Sequence, residues 1–175
     1  MPGEHVFVDE SKRDVYLIVA AVVASSDVTA TRTTLRALRP PGTHRVHFQA
    51  ENDARRRRFL QVTAALPITA RIYTARRRTD RESRQMILTR LVGDAVDLGA
   101  ARLVLERDDS LIVHDQRTIR EERSRQKAAD QLRFDHLRSL DDPMLWLPDA
   151  IAWAWCRDRR WRALVQPLIS EQIAL

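Results

Sequence analysis

The sequence is poor in the residues that build several common kinds of site. It has one cysteine, Cys156, so no internal disulfide can form, and no Cys/His pattern of the kind that binds zinc is present. We therefore expect a cytoplasmic protein, in which a lone cysteine on an apolar helix is ordinarily a small core residue. With only four glycines, the chain has no glycine-rich phosphate loop, no dinucleotide-binding fingerprint and no nucleophile elbow.

Long apolar runs are also missing. The longest, Val15 to Ala24, is too short to cross a bilayer, and it begins too far from a basic N-terminal region to resemble a signal peptide. The chain has 175 residues, of which 44% are hydrophobic, so it is long enough to bury a sizeable core. We predict a single domain over residues 1–175 with no membrane partner.

Positive charge exceeds negative charge, and arginine carries nearly all of it. The net charge is +6, with 28 arginines and 2 lysines. This excess is compatible with a nucleic-acid partner, DNA or RNA, but the same arginine bias also arises in GC-rich genomes. The arginine runs at 55–58 and 76–78 are either solvated faces or phosphate contacts. The candidate nucleic-acid-binding residues are Arg55, Arg56, Arg76 and Arg77.

The spacing of apolar residues predicts an α/β fold, with a mixed β-sheet and helices on its faces. The apolar strands His5–Asp9 and Val15–Ala24 are joined by a short polar turn, so they are expected to be central antiparallel neighbours. The remaining predictions are helices at 29–39, 53–66 (capped by Asp53), 80–98, 115–129 (mostly solvated), about 148–161 and 163–175, with strands at 45–48, 68–75, 102–106 and 131–137.

One acid interrupts the most apolar stretch of the chain, residues 144–157. Pro148 suits the start of a helix, and Ala150 and Ala154 give that helix a thin face that can lie close against a sheet. Asp149 then falls in the first turn. It is either a first-turn carboxylate at the positive end of the helix dipole or a metal ligand at the junction of sheet and helix.

Acids also stand at two further junctions of predicted strands, at Asp9 and at Glu106. Carboxylate oxygens suit Mg²⁺ or Mn²⁺, and clustered carboxylates would repel one another without a cation. Two such cations can activate water for phosphodiester hydrolysis. Glu10 and Asp109 are spare acids at the same junctions. The alternative is that these acids only open turns and solvate loops.

Three segments resemble, in order, motifs of the domain-of-unknown-function 3800 family. They are Val-Phe-Val-Asp-Glu-Ser at 6–11 with the apolar strand at 16–23, His47-Phe48, and Leu-Trp-Leu-Pro-Asp-Ala-Ile-Ala-Trp-Ala at 145–154. The resemblance spans nearly the whole chain. It implies a ribonuclease-H-like fold and a metal-dependent nuclease, in which acids from the first strand, a middle strand and the last helix gather.

Carried over by position, Asp9 and Asp149 match the family's acids, and Glu106 stands where the family usually has Asp. These three residues are the candidate catalytic groups and ligands of Mg²⁺ or Mn²⁺. The family often has Glu directly before its histidine, where this chain has Val46. That departure leaves open a non-catalytic nucleic-acid- or protein-binding module on the same fold. The secondary candidates are Glu10, His47 and Asp109, with Glu10 or Glu51 as substitutes for the missing acid.

Overall fold

A six-stranded mixed sheet forms the centre of the protein in a computed structural model that describes residues 3–13, 15–76 and 79–175. The strands are β1 (Glu4–Lys12), β2 (Tyr16–Ala24), β3 (Ile68–Ala75), β4 (Arg102–Glu106), β5 (Arg133–Leu137) and β6 (Ile169–Ala174). Their order across the sheet is β5-β4-β1-β2-β3-β6. The pairs β1–β2 and β2–β3 are antiparallel, whereas β1–β4, β4–β5 and β3–β6 are parallel.

Helices cover both faces of this sheet. They are α1 (Val28–Ala37), α2 (Asp53–Ala64), α3 (Asp80–Asp97), α4 (Ile112–Arg125), α5 (Trp146–Trp155) and α6 (Arg159–Val165). One buried cluster joins Phe7 and Val19 of the sheet to α1, α2, α5 and α6, and a second joins Val8 to α3 and α4. The predicted α/β class is confirmed, as is the central β1–β2 hairpin. Among the described residues, no helix combines the length and apolarity needed to span a membrane.

Strand register determines which side chains reach the α5 face. Val8 pairs with Leu105 in the parallel β1–β4 ladder, and both are buried on the α3 face. Because successive side chains of a strand point to opposite faces, Asp9 and Glu106, the next residue of each strand, point to the α5 face. On that face, Ala150 and Ala154 of α5 are fully buried in the cluster that contains Phe7, as the thin helix face predicted.

Two predictions between α1 and β3 are wrong. Residues 45–48 form no strand, because Val46 and Phe48 are buried against helices and pair with no strand edge; Phe48 begins a short 3₁₀ turn. Asp53 is not the cap of α2. Asn52 takes that place, since its side chain accepts a hydrogen bond from the backbone N–H of Arg55 at 3.0 Å.

The C-terminal predictions are wrong as well. The helix expected at 148–161 is two helices, because α5 ends at Trp155 and Asp158 caps α6 through the Arg160 amide at 2.9 Å. The closing helix expected at 163–175 is instead the end of α6, a 3₁₀ turn containing Pro167, and strand β6. The backbone of β6 pairs with the outer edge of β3, which offers it a hydrogen-bonded ladder.

Candidate active site

Asp9, Glu106 and Asp149 lie at one end of the sheet, near enough for their charges to interact. Asp9 is near the carboxyl end of β1, and Glu106 ends the neighbouring parallel strand β4. Asp149 is in the first turn of α5, which packs across β1 and β2 on the same face. Two strands and one helix, far apart in sequence, thus bring three carboxyl groups together.

The surroundings of Asp9 and Glu106 favour their protonated forms. Burial raises the pKa of Asp9 well above its ordinary value, and the charges of Asp149 and Glu106 raise it further. Burial also raises the pKa of Glu106, with a further contribution from Asp149. Each acid accepts one backbone hydrogen bond that acts against this effect: Glu10 N–H donates to Asp9 Oδ1 at 2.7 Å, and Ser139 N–H donates to Glu106 Oε1 at 3.1 Å.

Asp149 does not cap its helix. Its carboxyl group accepts no hydrogen bond from any residue in the described part of the chain, and α5 has no side-chain cap. The turn that precedes α5 is capped by Asp142, which accepts a hydrogen bond from the Met144 amide at 3.0 Å. Burial raises the pKa of Asp149, whereas the charges of His47 and Arg45 lower it. A side-chain cap therefore does not explain Asp149, whereas its place in the first turn agrees with a carboxylate at the positive end of the helix dipole.

The segment before α2 places two basic side chains beside the acids. Arg45 donates from Nη1 to Ser139 Oγ at 2.9 Å, and its charge lowers the pKa of both Glu106 and Asp149. His47 is exposed and lies outside any strand. Sequence reasoning missed Arg45, although its spacing of two residues from His47 in an alternating segment was a signal that both share a direction.

The spare acids are placed differently from the central three. Glu10 points to the α3 face, where it forms ion pairs with Arg84 and with Lys12 (2.9 Å). Asp109 is exposed and pairs with Arg107 at 2.6 Å. A pocket of about 390 Å³ at this end of the sheet contains both of them, together with Asp9 and Glu106.

The arginines singled out from the sequence differ in their availability. Arg56 is already engaged, because it donates to the carbonyl oxygens of Phe48 (3.0 Å) and Gln49 (2.5 Å) and lies over the Trp153 ring. Arg55 and Arg76 are exposed. Arg77 lies outside the described residues.

A groove beside Asp149 carries basic residues that sequence reasoning missed. It has a volume of about 430 Å³, and Lys12, Arg13 and Arg157 line it together with Asp149 and Trp153. The guanidinium of Arg157 lies 4.5 Å from the centre of the Trp153 ring. Lys12 is the last residue of β1, Arg13 follows it in the β1–β2 turn, and Arg157 comes from the α5–α6 link. Their separation in sequence hid the cluster, because no run of charge marks it.

The donor atoms of the three acids suit a hard divalent cation, but the positions of their side chains do not yet form a binding site. Three carboxyl groups suit Mg²⁺ or Mn²⁺. Burial is the main cause of the raised pKa values of Asp9 and Glu106, and the charge of Asp149 adds a repulsion that a cation would remove. Within residues 3–13, 15–76 and 79–175, however, no group of three His, Cys, Asp or Glu side chains is placed so that it could hold a metal ion. Binding would therefore require these side chains to turn toward a common point.

We expect the raised pKa of Asp9 to make the metal-free protein more stable as the pH falls through the folded-state pKa of this carboxyl group. The pKa of Asp9 is higher in the folded than in the unfolded chain, so the folded state binds more protons and acidification favours it. In thermal melts in EDTA, the melting temperature of Asp9→Asn should rise less on acidification than that of the wild type. Asp109→Asn, whose carboxylate is exposed, is the matched control and should keep the full rise. Identical profiles for wild type and Asp9→Asn would contradict the expectation.

Comparison with known proteins identifies the fold. No family model matches the sequence, and a search of curated proteins finds no match. Among solved structures, the chain is similar to the PCNA:RNase HII complex from Archaeoglobus fulgidus, with a TM-score of 0.54 and 14% sequence identity. The similarity covers 87% of this chain and 71% of the other. The chain therefore has a ribonuclease-H-like fold.

Proposed function

We propose that the chain is a nuclease that hydrolyses phosphodiester bonds of DNA or RNA with the help of Mg²⁺ or Mn²⁺. The observation that carries this proposal is the convergence of Asp9, Glu106 and Asp149 from β1, β4 and α5 at one end of the sheet. The fold similarity supports it at the level of architecture. The resemblance of three segments to the domain-of-unknown-function 3800 family points the same way and remains a prediction.

The residues of the site have two proposed roles, cation binding and substrate binding. Asp9, Glu106 and Asp149 would bind the cation through their carboxylate oxygens. When bound, a divalent cation supplies a water of lowered pKa and stabilises charge that develops on the phosphate. Burial of the acids strengthens their interaction with positive charge, because it removes competing water. Arg45 and His47, whose charges act on Asp149, would contact an anionic substrate.

The basic groove supports a nucleic-acid substrate. Lys12, Arg13 and Arg157 adjoin Asp149, so a strand whose scissile phosphate is at the acids could place neighbouring phosphates along these side chains. Lysine and arginine contacts of this kind provide most of the affinity of proteins for the phosphate backbone. The net charge of +6 favours such a partner over a neutral small molecule.

A non-catalytic nucleic-acid-binding module on the same fold is the second candidate. Two observations favour it: the described residues contain no preassembled group of three metal ligands, and the charge of Arg45 acts on both Glu106 and Asp149. A fixed arginine partly neutralises the acids and competes with a cation for them. A module of this kind would bind strands and leave them intact.

Mn²⁺ should raise the melting temperature of the wild-type protein. At a metal concentration of a hundred times Kd the stabilisation is about 2.7 kcal/mol, which corresponds to about 5–10 °C for a chain of this size. Asp9→Asn should show almost no shift, because it removes a charged ligand. The measurement is a thermal melt with and without Mn²⁺, run beside an assay of cleavage of labelled single-stranded and duplex DNA and RNA.

Asp109→Asn is the control and should keep both the shift and the cleavage. A wild-type protein that binds strands and shows no Mn²⁺ shift and no cleavage would establish the non-catalytic module. An equal shift in wild type and Asp9→Asn would remove Asp9 from the metal site. Absence of strand binding would defeat both candidates.

A further inference from the structure

A separate pocket lies across residues 45–48 from the acids. Arg45 and His47 act on Asp149, whereas Val46 and Phe48, which alternate with them, are buried and line this pocket. The pocket has a volume of about 310 Å³ and lies between the end of α1 and the first half of α2. The short segment 45–48 therefore separates the proposed catalytic site, which is lined by acids, from a second pocket that has an apolar floor.

The floor of this pocket is apolar and firmly held. The Phe48 ring packs edge-on against Phe59, with ring centres 5.6 Å apart, and against Trp153 at 5.3 Å. Leu38 and Pro41 form part of the wall. Phe48 and Phe59 are only 1% and 3% exposed, so these rings form a fixed base beneath the pocket. The apolar surface that a guest would touch comes mainly from the more exposed Ala37, Leu38 and Pro41.

The rim of the pocket is positively charged. Arg39, Arg55 and Arg58 line it with a single acid, Glu51, whose carboxylate lies 3.9 Å from Arg55. Arg39 and Arg58 are exposed and form no ion pair with any described residue. Two guanidinium groups are thus free to bind anions at the mouth of an apolar pocket.

We propose that this pocket binds an unpaired nucleobase of the strand whose backbone passes the acids, while Arg39 and Arg58 contact the phosphates that flank it. This inference rests on the proposed function. A free phosphate would not need the apolar floor, and an apolar metabolite would not need the arginines, whereas a nucleotide unit presents both chemistries. A base in a duplex cannot enter without unpairing, so the pocket selects single-stranded or locally opened nucleic acid.

The test measures binding of fluorescein-labelled oligothymidylate and of an abasic strand with the same number of phosphates, in EDTA so that cleavage plays no part. Wild type should bind the base-bearing strand at least about fivefold more tightly, because the base buries apolar surface that the abasic strand lacks. Ala37→Phe fills the pocket from the exposed end of α1 and should remove this preference. Ala30→Phe, exposed on the same helix and outside the pocket, should retain it.

A second pair of variants tests the rim. Arg58→Ala should weaken binding of both strands, whereas Arg36→Ala, an exposed arginine of α1 outside the pocket, should change neither. Equal wild-type affinity for the two strands, or equal behaviour of Ala37→Phe and Ala30→Phe, overturns the inference. Tight binding of thymidine monophosphate with no base preference in strands also overturns it, because the pocket would then take a free nucleotide. If the protein binds and cleaves the base-bearing and abasic strands equally well, only this inference is overturned. If it binds neither strand, the proposed function is defeated too.

Discussion

In Asp149→Asn, cleavage of nucleic acid is expected to fall by a factor of about 10² or more while the fold is retained. A metal ion contributes several kcal/mol of transition-state stabilisation, and each 1.4 kcal/mol lost is about a tenfold loss of rate. Asparagine has nearly the shape of aspartate but lacks the charge, so it is a poor ligand for Mg²⁺ or Mn²⁺. The measurement is the rate of strand cleavage with Mn²⁺ present in excess.

The stability of the same variant separates a ligand from a cap. Loss of a capping side chain costs about 0.5–2 kcal/mol, but Asp149 accepts no hydrogen bond from the described residues. We therefore expect both Asp149→Asn and Asp149→Ala to leave the free energy of unfolding in EDTA unchanged or raised. A rise would reflect relief of the repulsion that Asp149 exerts on Asp9 and Glu106.

Asp158 is the matched control for this experiment. It caps α6 by accepting hydrogen bonds from the amides of Arg160 (2.9 Å) and Trp161 (3.3 Å). Asp158→Ala should therefore lower the stability by about 0.5–2 kcal/mol and keep the cleavage rate. An Asp149→Asn protein that cleaves at the wild-type rate would remove Asp149 from the site, whatever its stability.

The strands that form the centre of the sheet could be predicted because their signals are local. Residues 16–24 are almost all apolar, as a strand buried on both faces must be, and Arg102–Glu106 was predicted with its observed bounds. β6 could not be predicted in this way. Its sequence, Ile-Ser-Glu-Gln-Ile-Ala, has no strong strand signal, and its conformation follows from pairing with the exposed edge of β3.

Sequence reasoning named the acids of the candidate site but did not find its basic residues. Asp9 and Glu106 end predicted strands and Asp149 lies at the start of a predicted helix, and the resemblance to the domain-of-unknown-function 3800 family implied that these acids gather. Arg45 and Arg157 reach the same region from irregular segments, whose paths are set by packing around Phe48 and Trp153. Irregular segments have no regular spacing of apolar residues from which their course could be predicted.

The buried side of helix α4 was also missed by the sequence prediction. Its charged sequence predicted a mostly solvated helix, yet Asp115, Thr118, Ile119 and Glu122 are buried. These positions have the spacing of one helix face, so the helix has a buried stripe in which three of the four residues are polar. A pattern search based on apolar residues cannot find such a stripe, because its burial depends on partners from other elements.

The most important of these partners is Arg84, and Asp115→Ala is expected to lower the free energy of unfolding by about 3–5 kcal/mol. Asp115 accepts two hydrogen bonds from Arg84, at 2.7 Å and 2.8 Å, and lies 3.2 Å from His136 Nε2. Burial alone would raise the pKa of Asp115, but these hydrogen bonds hold it below its ordinary value. In the alanine variant the buried Arg84 keeps Glu10 but loses Asp115 as a carboxylate partner. Removing one partner from a buried ion pair is strongly destabilising, because it leaves a buried charge uncompensated.

Urea denaturation measures this cost, and an exposed ion pair on the same helix is the control for it. Arg117 and Glu121 are both 65% exposed, so Glu121→Ala should cost less than about 1 kcal/mol. Because the pKa of Asp115 is lowered on folding, its stabilisation should be complete at neutral pH and lost as the pH falls through the folded value. Arg84 also pairs with Glu10, the residue after Asp9, so in this variant Glu10 is the remaining carboxylate partner of Arg84. Equal losses for Asp115→Ala and Glu121→Ala would show that the buried pair does not support this end of β1.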